Sequence, residues 1–249
     1  MKILMLDIES APINAYVWGL FDERINTDQI IDTSSVLCYA AKWYGKREVL
    51  FDSVQKSGKA KMLKSVHDLM SEADIVVTYN GERYDIPVLN REFLIAKMPP
   101  PAPYKSVDLF RTVRRKFRFA SNKMDHVNDM LGLPKKIRHR GFKLWVDCMN
   151  GDEKAWREME RYNRRDVTAL EAQYKRVLPW ISNHPNVAMY QQRPEACTRC
   201  GSTHMQYRGT QLSKSQLYRR YQCQSCGGWD HEATGTLDAK TRAKIRRPI

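Results

Sequence analysis

Asp7 and Glu9 stand two residues apart in MLDIES (5–10), directly after the apolar run Ile3-Leu4-Met5-Leu6. Residues i and i+2 of a strand share a face, so the two carboxylates would project together, their Cα atoms about 6–7 Å apart. Like charges that near repel, and burial strengthens the repulsion. A divalent cation between them would relieve it. Two carboxylates rarely complete a magnesium site, so further oxygen ligands have to come from elsewhere. One candidate is Asp166, which falls in the apolar stripe Trp156, Met159, Tyr162, Ala169, Leu170, Val177 of a long helical pattern. An uncompensated charge there would cost several kcal/mol, as a rough figure. Tyr162 lies one turn earlier on the same face. The other candidate is Asp85 in YNGERYDIP, after a strand ending at Tyr79-Asn80 and a turn at Gly81. On their own, Asp85 also reads as a helix cap and Asp166 as a charge on a solvated face.

A second constellation is Cys197-x-x-Cys200 with Cys223-x-x-Cys226. Two tight thiolate pairs carry the ligand arithmetic of one structural Zn²⁺. Gly201 and Gly227 follow the second cysteine of each pair, where a residue without Cβ lets backbone N–H groups turn toward sulfur. The pattern looks like a zinc ribbon. Around the knuckles, Tyr207, Arg208, Tyr218, Arg219, Arg220, Tyr221 and Trp229 interleave aromatic and guanidinium groups, which suits stacking on single-stranded bases; docking on a protein is the other use of such a module. Cys38 and Cys148 are left over as core residues.

The elements that must position these groups follow from periodicity. Residues 2–9 read as a strand, and SSVLCYAAKWY and REVLFDS as a hairpin across Gly45-Lys46. KMLKSVHDLMSEA has helical spacing, DIVVTYN (74–80) is a short strand, and PVLNREFLIAK returns to helix. After MPPPAP come a strand in YKSVDLF, helices near 109–117 and 123–131, and the longest helix, from about Gly151-Asp152 to about Leu178, where Pro179 ends it. Strands first, then alternating helices and strands, imply an α/β fold with a mixed sheet flanked by helices. The expected domains are 1–182, a linker at 183–194, the zinc ribbon at 195–235 and a basic tail at 236–249.

The ordered set D-x-E (Asp7, Glu9), N-x-x-x-Y-D (Asn80, Tyr84, Asp85) and Y-x-x-x-D (Tyr162, Asp166) resembles the DEDDy subgroup of 3′–5′ exonucleases, in the ribonuclease H-like superfamily. That subgroup includes the proofreading domains of family B DNA polymerases. SNKMDHVNDMLGL resembles the segment those domains carry between the second and third motifs, and the resemblance spans roughly residues 1–180. It implies a ribonuclease H-like fold and a two-metal site for Mg²⁺ or Mn²⁺. Asp7 would bridge, Glu9 and Asp166 would complete the first ion's shell, and Asp85 would serve the second. Tyr162 would orient the attacking water. Zn²⁺ suits this site less, since no histidine joins the motifs. Asp108 in SVDLF resembles an acidic position of relatives and is given no catalytic role.

The 249 residues carry a net charge of +14, which points to a polyanionic partner. From residue 193 onward, 11 Lys and Arg face four Asp and Glu, so the C-terminal part is the more basic per residue. RTVRRKFRF and KKIRHRGFK are stretches that could track phosphates; the expected contacts are Asn80, Arg114, Arg115, Lys116, Arg208, Arg219, Arg220 and Tyr221. No apolar run is long enough to span a membrane and no export signal is visible, so reduced cysteines and a cytoplasmic setting, in a bacterium or a virus-infected cell, are expected. No polymerase or helicase fits in the remaining length. The reading is a free-standing 3′–5′ exonuclease on single-stranded DNA ends, releasing 5′-mononucleotides. A replication or repair protein is a further partner that the ribbon could dock. A structure-selective endonuclease or ribonuclease on the same site is the alternative enzyme, and a basic scaffold with structural carboxylates is the non-enzymatic one.

Overall fold

The computed structural model describes residues 1–21, 24–135, 137, 139–212 and 216–233. The expected basic tail, and Lys136 and Arg138 of the second basic stretch, lie outside the described residues. The chain divides into two units, Lys2–Lys175 and Arg176–Ile249 with Met1.

The first unit is built on β1 (Ile3–Ser10), β2 (Asn14–Ala15), β3 (Ile30–Asp32), β4 (Val36–Trp43) and β5 (Leu50–Ser53). These are followed by α1 (Lys59–Glu72), β6 (Ile75–Thr78), α2 (Asp85–Ile95), β7 (Lys105–Asp108), α3 (Leu109–Lys116), α4 (Met124–Met130), α5 (Lys143–Met149) and α6 (Glu153–Val177). Five strands form one mixed sheet in the order β5-β4-β1-β6-β7. β4 pairs antiparallel with β1 and β5, whereas β6 runs parallel to both β1 and β7. The hairpin forms as expected over Gly45, but its second strand starts at Leu50, because the exposed, charged Arg47 and Glu48 have no buried face to alternate with.

Alternation along β1 sets up everything that follows. Leu4, Leu6 and Ile8 point into a core completed by Val36 and Tyr39 of β4 and by Met62, Leu63, Val66, Met70, Leu89 and Phe93, the apolar stripes of α1 and α2. The period of 2 then sends Asp7 and Glu9 to the other face, toward α5 and α6. α6 begins where Asp152 Oδ1 accepts from the N–H groups of Lys154 and Ala155 at 2.7 and 3.3 Å, an N-terminal cap. Its stripe of Trp156, Met159, Tyr162, Asp166, Ala169, Leu170 and Val177 is buried throughout, so Asp166 is not on a solvated face. The sequence reading missed two elements here, the β2–β3 pair and α5.

The second unit contains α7 (Val187–Tyr190), which lies inside the segment expected as linker, and an antiparallel sheet of β8 (Met205–Leu212), β9 (Leu217–Cys223) and β10 (Trp229–Ala233), with β9 central. Among the described residues, no helix is long and apolar enough to cross a membrane.

Candidate active site and cysteine centre

Asp7 and Glu9 from β1 and Asp166 from α6 offer carboxylate oxygens that all lie within 4.8 Å of one another. Neutral donors aim two of them. Asn163 Nδ2, one residue past Tyr162 on α6, donates to Asp7 Oδ2 at 2.7 Å. Trp145 Nε1 on α5 donates to Glu9 Oε2 at 3.1 Å. Asp166 is fully buried. Asp85 stands outside this trio: its Oδ1 accepts the backbone N–H of Ile8, between the two acids of β1, at 3.1 Å. Asp85 is the first residue of its helix, and the cap position is Tyr84, which makes no side-chain cap bond. Burial, and then repulsion from Glu9 and Asp7, push the neighbouring Cys38 thiol well above its usual range. It behaves as a core residue.

A cleft of about 650 Å³ opens beside the trio, lined by Asp7, Tyr79, Asn80, Phe110, Asn122, Lys123, His139 and Tyr162 among others. It sits at the C-terminal ends of the three parallel strands, because Tyr79-Asn80 follow β6 and Phe110 follows β7. Asn80 adopts a left-handed φ of 64°, which Asn tolerates better than most residues. Gly81 is required for space: a Cβ there would lie 2.4 Å from Thr78 Cβ. Asp108 has a structural task here. It accepts from the N–H groups of Asn80 (2.8 Å), Glu82 (3.2 Å) and Phe110 (2.9 Å), pinning the cleft's turn to the start of α3. Burial nonetheless holds its carboxyl above the ordinary range.

Tyr162 packs edge-on against His139, with ring centroids 4.8 Å apart, and near Trp145 at 6.2 Å. His139 Nδ1 accepts the N–H of Gly141 at 3.1 Å, which leaves Nε2 as the protonated nitrogen of the neutral ring. A histidine therefore does reach this cleft, from a stretch whose only sequence signal was basic charge. Asn163 was legible in principle, as a polar residue four after the buried Met159. Trp145 gave a weak helical signal with Leu144 and Cys148, both buried. Arg114, Arg115 and Lys116 form the exposed last turn of α3, whose first turn carries Phe110; there they also complement the helix dipole.

The four cysteines of the second unit form the other candidate metal centre. Cys197 and Cys226 Sγ are 3.6 Å apart, as are those of Cys200 and Cys223. A tetrahedron with Zn–S bonds of about 2.3 Å has S–S edges of about 3.8 Å, so the thiols fit zinc. A hydrogen bond from Cys226 pulls the Cys197 thiol down to about 5, while Cys226 itself is raised by the same bond and by burial, and burial lifts Cys200 to about 11. Gly201 and Gly227 both take left-handed φ angles, 72° and 80°. The residues after these glycines turn their N–H groups to sulfur, Gly228 toward Cys226 at 3.4 Å and Ser202 toward Cys200. Around this centre, the Arg220 guanidinium lies 5.7 Å over the Trp229 ring and donates to Arg208 O. Tyr221 packs on Tyr207 and donates to Glu232. Arg208 and Arg219 are the exposed cations of that set.

Residues 5–178 match the profile of the RNase H superfamily. No curated protein matches the chain. Among solved structures, the chain is similar to the family B DNA polymerase of the hyperthermophilic archaeon Pyrobaculum calidifontis, at 17% identity and a TM-score of 0.55. That similarity covers 72% of this chain and 24% of the polymerase, so the chain spans about a quarter of that protein's length. The β1 acids, the mixed five-stranded sheet with its flanking helices and the profile match agree: the chain belongs to the RNase H superfamily.

Proposed function

We propose that the protein is a metal-dependent 3′–5′ exonuclease of the DEDDy kind, which trims single-stranded DNA ends to 5′-mononucleotides. The observation that carries this reading is the convergence of Asp7, Glu9 and Asp166 within 4.8 Å, beside a cleft that Tyr162 and Asn80 line. The residues fit Mg²⁺ or Mn²⁺, since the donor set is all oxygen. Asp7, Glu9 and Asp166 would hold one ion, with Asp7 shared and Asp85 serving a second. Divalent ions there would supply the Lewis acidity that activates water and stabilises the leaving 3′-oxygen.

The chain's own groups do the rest. Tyr162 presents its hydroxyl one helical turn from Asp166 and orients the attacking water. Asn163 and Trp145 hold the Asp7 and Glu9 carboxylates in direction, and Asn80 and Lys123 contact the terminal nucleotide. DNA is favoured over RNA because the similar solved structure is a DNA polymerase. The cysteine centre takes one structural Zn²⁺ and forms a ribbon, expected at 195–235, whose exposed Arg208 and Arg219 add phosphate contacts.

The deciding experiment incubates purified protein with Mg²⁺ or Mn²⁺ and single- or double-stranded DNA and RNA, labelled at either end. A ladder shortening from the 3′ end with mononucleotide products supports the reading. Internal cuts would make it an endonuclease, preference for RNA a ribonuclease, and no hydrolysis with either ion would remove the enzymatic assignment.

A further inference from the structure

β2 and β3 form an arm that extends the ladder of the acid-bearing strand. Glu9 pairs with Cys38 and Ser10 with Val36. Ala11 N–H then donates to Ser35 O at 2.8 Å, Asn14 and Ala15 pair with Asp32 and Ile30, and Tyr16 N–H donates to Gln29 O at 3.0 Å. Beyond this root the chain exposes Tyr16 (76%), Trp18 (97%), Leu20 (89%) and Phe21 (87%). Scattered exposed apolar residues need no explanation, but large ones clustered within six positions mark a binding surface.

We infer that Tyr16, Trp18 and Phe21 form a stacking platform for the bases of a single-stranded nucleic acid, upstream of the end held in the cleft. The inference rests on the cleft being a nucleic-acid site. Continuity with that site argues for this occupant. The cleft lies at the C-terminal ends of β1, β6 and β7, and the arm leaves β1 at that same end. Trp18 is nine positions after Glu9, which puts its Cα at most about 31 Å from that of Glu9 even in a fully extended chain, a reach of several nucleotides. Aromatic faces take up any base, because every base has a π-face. Along the sequence Arg24 is the cation nearest the rings and Asp22 and Glu23 the nearest acids, so the arm would contribute through stacking while phosphate attraction comes from elsewhere on the +14 chain.

The test compares Trp18→Ala/Phe21→Ala with the parent, both in a full-length Asp7→Asn background that holds strands intact. Affinity is measured for a single-stranded trinucleotide and for a strand of about 16 nucleotides. Loss of each stacked base should weaken binding of the long strand about 5- to 150-fold and leave the trinucleotide unaffected. In parallel, the Asp7→Asn protein with its aromatics intact is photocrosslinked to bromouracil strands. Adducts should map to residues 16–21 when the bromouracil lies several nucleotides from the 3′ end, and this arm decides the matter even if the double variant misfolds. An unchanged dependence of affinity on length, or adducts confined to other segments, would overturn the inference. So would a variant that binds the long strand normally but loses self-association by sedimentation, since the arm would then be an interface between copies. Hydrolysis of the trinucleotide by wild type and by Trp18→Ala/Phe21→Ala is scored separately, so a failed exonuclease assignment is told apart from a failed arm.

Discussion

Replacing Asp7 by Asn removes one charge from the acidic trio while keeping the side chain's size. At an effective dielectric of about 20, two unit charges 4.8 Å apart repel by about 3.5 kcal/mol, and the trio's oxygens lie within that distance. Asp7 takes part in two such pairs. Partial exposure lowers the repulsion actually present, and the bond from Asn163 at 2.7 Å loses its charge-assisted share of about 1 kcal/mol. A net gain of about 2 kcal/mol for the metal-free variant follows. In a chain of this size that corresponds to a Tm about 4–8 °C above wild type. Mg²⁺ or Mn²⁺ should raise the wild-type Tm and leave the variant's unchanged, because binding stabilises only the state that holds the ion. Hydrolysis should fall by orders of magnitude. Differential scanning calorimetry with and without metal, beside a cleavage assay, reads all three. A variant that melts below wild type, keeps the metal-induced shift and cleaves normally would refute the argument: the acids would then be structural.

The remaining predictions concern Tyr162, the buried ion pair and the cysteine centre. Tyr162→Phe deletes a hydroxyl and no metal ligand, so single-turnover cleavage should slow by about 10- to 10³-fold with little change in substrate affinity; a loss in affinity alone would make Tyr162 a packing residue. Glu171→Gln leaves Lys42, its partner at 2.6 Å, buried and uncompensated, at a cost of about 3–5 kcal/mol by urea unfolding. Burial raises the Glu171 carboxyl, but bonds from Lys42, the Gly45 N–H and Lys175 outweigh it and leave the group below its usual range. Its stabilisation is therefore complete above about pH 4.3 and disappears as pH falls through the lowered value, so the variant's acid unfolding should lack that component. Cys223→Ser removes one thiolate from the four, and elemental analysis should fall from one zinc per chain to none.

The sequence revealed this site wherever a short-range period carried the information. Alternation alone placed Asp7 and Glu9 on one face, and the 3.6-residue stripe placed Asp166 and Tyr162 on a buried one. The cysteine spacing was equally direct, since two knuckles converge whatever lies between them. What stayed hidden depends on distant elements. Trp145 reaches Glu9 across 136 positions and Asn163 reaches Asp7 across 156, and no local pattern encodes such pairs. His139 sat unnoticed among lysines and arginines because its role comes from ring packing on Tyr162. Arg220 and Tyr221 looked like free contacts, yet their side chains are engaged by Trp229, Tyr207 and Glu232, which strand pairing alone decides. The β2–β3 pair escaped because so short a ladder has no alternation to read.

Charge placement sets the acidic site apart from the carboxylates that carry ion pairs, and likens it to buried Asp108, which is held by three backbone N–H groups. Glu171 is met by Lys42 and Lys175, Glu92 by Lys59 and Arg91, and Asp230 by Arg199. At the acidic site, Asp7, Glu9 and Asp85 are aimed by the amide of Asn163, the indole of Trp145 and a backbone N–H. A neutral donor fixes a carboxylate's direction without adding a charge of its own. On the proposed function, the +14 chain would draw a polyanion in, while carboxylates beside the cleft would repel its phosphates. A bound divalent cation reverses the sign of that local field, and the phosphate's charge in turn stabilises the cation. By linkage, each then tightens the other by the same factor. On the proposed function, cation and strand would therefore not be independent ligands of this cleft: each would bind better once the other is in place.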